Sequence, residues 1–187
     1  VALKREFIDL VKAESVGLGV DLDELIKELE PCINELTRVN VTIDEARELV
    51  KMIIGSLYRD WRYTYIGCRD VGQILSYVNT CGVNGMSMRR YDSILCPIII
   101  PEGMLGVTNI KLLSTKPVSV FVKKLGEPLG GVYVSEGMSL FSYFDVMEFS
   151  VPMRLRPGFY VVELYNCCNV DVNVTFHVTS CVIRARK

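Results

Sequence analysis

Apolar residues recur every three or four positions along the first third of the chain. Leu3, Phe7, Leu10 and Val11 form one stripe, Leu22, Leu25, Ile26, Leu29 and Ile33 a second, and Ala46, Leu49, Val50, Ile53 and Leu57 a third. That period belongs to amphipathic helices with one face on a core. Two of the starts are marked in the sequence. Asp21 with Glu24 and Thr42 with Glu45 have the capping-box spacing, in which each side chain satisfies a backbone N–H the first turn leaves free, so helices should begin near 22 and 43. Pro31 falls inside the second stripe, where it removes a hydrogen bond and crowds the preceding turn, so that helix is expected to kink or to stop and restart. A fourth, shorter helix is expected over Asp70 to Val78.

The pattern changes in the second half. Residues 118–187 hold 14 of the 25 valines, which favours strands. Extended runs are expected at 94–100, 106–113, 117–124, 131–136, 140–151, 158–166 and 170–183, separated by Gly, Pro, Asn or Glu-Gly turns. In the last run Val170, Val172, Val174, Phe176 and Val178 alternate with Asp171, Asn173, Thr175, His177 and Thr179, the mark of a half-buried antiparallel strand. Residues 79–90 carry two Gly and two Asn without a period and read as the connection between halves.

Pro157-Gly158 opens the run FYVVELYN, and Asn166 to Asn169 leads into the last strand, so the two are expected to form a hairpin. This segment, about a sixth of the chain, is similar to the Pro-Gly-x-Tyr strand and following hairpin of exported β-sandwich modules, including the GOLD and prepeptidase C-terminal types. The resemblance implies a sandwich strand pair and carries no functional residues across. The expected architecture is therefore α+β: a helical region of three to four helices over 1–90 and a C-terminal antiparallel β-sandwich, jelly-roll or Ig-like with about seven strands, over 91–187.

Composition narrows the functional classes. The net charge is −1, and both halves are balanced, with 12 basic and 14 acidic side chains in 1–90 and 9 and 8 in 91–187. That argues against sequence-independent nucleic-acid binding, although Arg89 and Arg90 and the tail Arg184, Arg186 and Lys187 form small basic patches. The stretch Ile94 to Leu105 is broken by Pro97, Pro101 and Glu102, so no membrane span is expected. The chain opens on Val1 with Lys4 and Arg5 following, which shows no uncleaved signal peptide and leaves a removed leader open. Hydrophobic residues reach 50% and mean hydropathy is +0.28, values that suggest some apolar surface meets a partner. One glutamine, Gln73, beside seven cysteines points to a thermophilic source.

Candidate chemistry is sparse. His177 is the only histidine, which excludes His-based zinc clusters, and its place on the polar face predicts a solvated ring. No C-x-x-C occurs. Cys167 and Cys168 are neighbours that should point to opposite faces, so a structural disulfide or thiol is expected among Cys96, Cys167, Cys168 and Cys181, with Cys167 or Cys168 bridging to Cys181 or Cys96. Gly17-Leu18-Gly19 lacks the remaining residues of a phosphate loop. The acids Glu136, Glu148 and Glu163 form no evident catalytic pair. Tyr58, Arg59, Trp61, Arg62, Tyr63 and Tyr65 interleave aromatics with arginine and form the candidate contact surface for a ligand or partner, with Leu57, Trp61 and Tyr65 on one face if the segment is helical. Asn40 and Asn173 head glycosylation sequons.

These features lead to an expected non-enzymatic structural or interaction protein without cofactor or metal, most concretely a self-assembling surface or virion-type subunit, a homo-oligomer or one of several assembly subunits, at an extracellular or virion surface. The alternative is a sandwich module that binds a glycan or peptide. A third reading is a cysteine-dependent enzyme using His177.

Overall fold

The computed structural model of the protein describes residues 1–59, 63–70, 82–125 and 138–185, with the backbone alone at 59, 63–70, 125, 138–139 and 185. Three helices come first: α1 (Lys4–Glu14), α2 (Leu22–Arg38) and α3 (Ile43–Ile54), followed by a π-helical turn at Gly55–Arg59. Asp21 Oδ1 accepts from the N–H groups of Asp23 and Glu24 at 3.1 and 3.3 Å, and Thr42 Oγ1 accepts from Glu45 N–H at 3.4 Å, so both expected caps form. The expected break at Pro31 does not occur: α2 runs unbroken from Leu22 to Arg38. Pro31 and Lys27 lie on the exposed face, where the carbonyl that loses its partner can meet solvent. The expected helix over 70–78 lies outside the described residues beyond Asp70, which ends a strand.

The seven strands of the described residues are β1 (Tyr63–Asp70), β2 (Val83–Met88), β3 (Ser93–Ile100), β4 (Met104–Leu125), β5 (Met138–Leu155), β6 (Gly158–Tyr165) and β7 (Val172–Ala185). Their order is β1-β7-β4-β6-β3, with β2 also on β7 and β5 also on β4, and every pairing is antiparallel. The architecture is α+β, and the strands belong to one curled sheet, half-barrel in form, rather than to two separate sheets. Two of them, β1 and β2, fall within the region expected to be helical. In β1 the β-forming residues Tyr63, Thr64, Tyr65 and Ile66 outweigh the helical spacing read across Leu57, Trp61 and Tyr65. The expected strand at 131–136 lies outside the described residues.

Two further expectations are corrected by the register. The runs at 106–113 and 117–124 are one strand, β4, bent in its middle. The expected β6–β7 hairpin is absent. Instead β7 pairs with the first half of β4 (Met104↔Arg184 to Ser114↔Val174) and β6 with its second half (Ser119↔Tyr165 to Leu125↔Phe159), so β6 and β7 run end to end along one edge of β4. The pair β2 and β3 continues the same way along the next edge, with Met88↔Val172 on β7 and Ser93↔Tyr165 on β6.

Four chain rows therefore turn one corner together. β4 turns at Ser114–Pro117, where the Ser114 hydroxyl donates to the Lys116 carbonyl at 2.6 Å. β5 turns beside it, since the register passes from Leu113↔Glu148 to Val118↔Val146 and an extra residue enters β5 before Tyr143↔Val120, with Asp145 at φ 55°. The remaining two rows turn at 89–92 and 166–171, and Asn166 joins them. Its side chain, 0% exposed, donates to the carbonyls of Arg89 at 2.9 Å and Val170 at 3.0 Å and accepts from the Cys168 N–H at 3.0 Å. Its backbone receives the Tyr91 N–H at 2.8 Å and donates to the Asp92 carbonyl at 2.9 Å.

The curl makes two cores. The inner face gathers Ile98, Ile110, Leu112, Val120, Leu164 and Phe176 among others. On the outer face of β7 and early β4, Leu105, Val107 and Ile183 meet Phe7, Leu29 and Leu49 of the helices. A disulfide between Cys32 of α2 and Cys181 of β7 ties the helical layer to the sheet across 149 residues of sequence.

Asn166→Ala should lower stability by about 2–4 kcal/mol, because it strips partners from several buried carbonyls at once. Thermal unfolding checks this, with a fall in Tm of roughly 5–12 °C expected. Opening the Cys32–Cys181 bridge, as Cys32→Ser, should cost about 3–5 kcal/mol because the loop it closes is long, and a denaturant titration of the variant against the parent reads that loss.

Candidate functional site

The aromatic run singled out in the sequence is divided by the fold. Tyr58 is half-buried against the helical core and Arg59 ends the π-turn. Trp61 and Arg62 lie outside the described residues. Tyr63 and Tyr65 belong to the backbone of β1, opposite Ala185 and Ile183 of β7.

The cysteines sort into two groups. Cys181 bonds Cys32, not Cys167 or Cys168, because it sits on the outer face of β7 beneath α2, while those two sit at the corner of the sheet. Cys96 is also disulfide-bonded. Cys167 and Cys168 are free thiols. Cys168 donates to the Pro117 carbonyl at 2.9 Å, and Cys167 is exposed, 3.7 Å from the Ser119 hydroxyl.

Asn40 ends α2 in a left-handed turn at φ 55°, and its carbonyl accepts from the Lys111 ammonium. Asn173 is exposed on β7, and its amide donates to the Gly85 carbonyl at 3.0 Å. His177 is not solvated: it is 6% exposed, and its Nε2 lies 2.8 Å from Asn84 Oδ1 on β2. The polar face of β7 is partly covered by its neighbours, which strand alternation alone does not disclose. Glu163 is 8% exposed and structural in its contacts, taking the Lys123 ammonium at 2.8 Å and the Ser93 hydroxyl at 2.8 Å.

Two other features stand out. The first is β5, an 18-residue strand that pairs only with β4 among the described residues. Leu140, Phe141, Phe144 and Met147 on it are exposed, Phe144 by 64%, with the Phe144 ring edge-on to Phe121 at 5.6 Å. The sequence held a signal for this surface. In residues 140–149 the apolar positions do not alternate, so both faces of the strand carry them and only one can be buried.

The second is a cleft of about 370 Å³ between the α2–α3 turn, the first turn of α3 and the β4–β5 ladder, with Lys111, Glu45, Glu148 and Ser150 in its wall. Partial burial pushes the Lys111 ammonium below its ordinary pKa, and the nearby Glu148 and Glu45 carboxylates pull it back. Glu45 Oε2 and Ser150 Oγ are buried there without hydrogen-bond partners. No group of three or more His, Cys, Asp or Glu side chains suited to a metal occurs among the described residues.

No family model matches the chain, and no curated protein matches it in sequence. Among solved structures it is similar to a de novo designed double-stranded β-helix, at 11% identity and a TM-score of 0.28, covering 54% of this chain and 94% of that one. It is also similar to Aeromonas hydrophila PliG, a periplasmic lysozyme inhibitor of g-type lysozyme, at 12% identity and a TM-score of 0.34, covering 53% of this chain and 82% of that one.

Iodoacetamide applied to the folded, unreduced protein should label Cys167 first and Cys168 more slowly, and leave Cys32, Cys96 and Cys181 untouched. Peptide mass spectrometry reads the order.

Proposed function

We propose that this is a non-enzymatic interaction protein that assembles with copies of itself through β5. The observation that carries the reading is the run of exposed apolar side chains on an edge strand, Leu140, Phe141, Phe144 and Met147. A long edge of this kind is a template for pairing with another chain unless it is covered.

The run is self-complementary. A two-fold axis through Phe144, with two β5 strands antiparallel, sets Phe141 against Met147 of the second copy and Phe144 against its equivalent. It also places Asp145 opposite Tyr143 and Glu148 opposite Leu140, so no like charges meet. Pro152 lacks an N–H to offer to a further strand, which limits pairing to the first half of β5. The bridges at Cys32–Cys181 and Cys96 support a place in an oxidising compartment, as an extracellular or virion surface would be.

Size-exclusion chromatography with light scattering tests the reading. The parent protein should elute as a dimer or larger species. Phe144→Ser removes an exposed ring from both sides of the axis, and should weaken association roughly a hundredfold while leaving unchanged the Tm of protein diluted to its monomeric state. A parent that stays monomeric at high concentration overturns the proposal.

A further inference from the structure

Four buried side-chain polar atoms of the described residues lie on one face without a hydrogen-bond partner inside the protein. They are Glu45 Oε2, Ser150 Oγ and both amide atoms of Asn109. Native proteins leave few such atoms, and a concentration of them asks what satisfies them. Glu45 and Ser150 stand in the wall of the cleft beside α3. Asn109, 1% exposed, is the next outward-facing residue along β4 from Lys111 and lies opposite Pro152 of β5. The cleft borders the strand paired in the proposed assembly and shares Glu148 with it, but the inference rests on the unpartnered atoms and the wall charges, and Lys111 lies outside that pairing.

We propose that the cleft binds a small zwitterion of the α-amino-acid type, with its carboxylate on the Lys111 ammonium and its ammonium held by Glu45 and Glu148. The charges of the wall select that class. Two side-chain carboxylates beside one side-chain ammonium repel a simple anion, and a simple cation leaves the Lys111 ammonium without a counter-charge, whereas a molecule carrying both signs meets each group with its opposite. Lys111 spends one of its three N–H donors on the Asn40 carbonyl and has others to offer. Ser150 supplies a neutral hydroxyl on the sheet side. Leu113 forms the apolar part of the wall, against which the carbon skeleton of the ligand packs. The volume of about 370 Å³ lies at the small end of ligand pockets, which suits a single amino acid rather than a peptide or an oligosaccharide.

Partial burial already disfavours the charged form of Lys111. A bound carboxylate reverses that balance, so binding should raise the pKa of Lys111 and draw in a proton from alkaline buffer.

Isothermal titration calorimetry of the intact protein with the twenty amino acids singly, and with acetate, methylammonium and maltose as controls, tests the site. At least one amino acid is expected to bind, with acetate and methylammonium silent. Glu148→Gln, at an exposed position on β5 that the fold does not depend on, should weaken binding at least tenfold, and Lys111→Met should abolish it while Lys111→Arg retains it. The heat in buffers of different ionisation enthalpy should show proton uptake in the alkaline range. Silence from all twenty amino acids at millimolar concentration overturns the proposal, as does binding of maltose alone, or affinity unchanged in folded Glu148→Gln and Lys111→Met.

Discussion

The corner of the sheet is the feature on which the rest of the structure depends. Four rows of chain, β2 with β3, β6 with β7, β4 and β5, all change direction at one level, and the inner core exists only because they do. A flat sheet of these strands would expose Ile110, Leu112, Val120 and Phe176 to water. Bent, it wraps them around one another, at the expense of ladder hydrogen bonds interrupted at the turn. Asn166 makes good much of that loss. A side-chain amide with two donors and one acceptor takes the place of the missing ladder between the first two rows. In β4 and β5 the bend is made differently, by Ser114 and Pro117 and by the extra residue at Asp145.

The same bend determines where apolar surface remains. The helices cover the outer face of β7 and early β4 and are fixed there by Cys32–Cys181. Beyond the corner the helical layer does not reach, and the apolar side chains of β5 near Phe144 stay exposed. A strand apolar on both faces is a poor fit to a monomer and a good fit to an assembly, which is why self-association is the reading the fold supports best.

The helices were legible in the sequence because their physics is local. Period, cap and length all lie within a dozen residues, and Asp21 and Thr42 mark the starts of α2 and α3 as read. Most strands were legible for the same reason, through valine and alternation. Their partners were not. Pro157-Gly158 and Asn166–Asn169 look like the two ends of a hairpin arm, but Asn166 turns its row around the corner instead of folding it back, and the choice is made by carbonyls at Met88 and Arg89, far away in sequence. The pairing of Cys181 with Cys32 was hidden likewise, since it depends on which sheet face α2 covers. The cleft at Lys111 brings together residues 40, 45, 111 and 148, whose types are ordinary and whose proximity no spacing announces.

The central claim is that β5 is covered by a second copy in solution. Hydrogen–deuterium exchange measured at dilute and at high protein concentration addresses it without any substitution. The account predicts that amides between Ser142 and Glu148 become protected as concentration rises, while the helices and β7 exchange at the same rate throughout. Exchange on β5 that is fast and independent of concentration would contradict it.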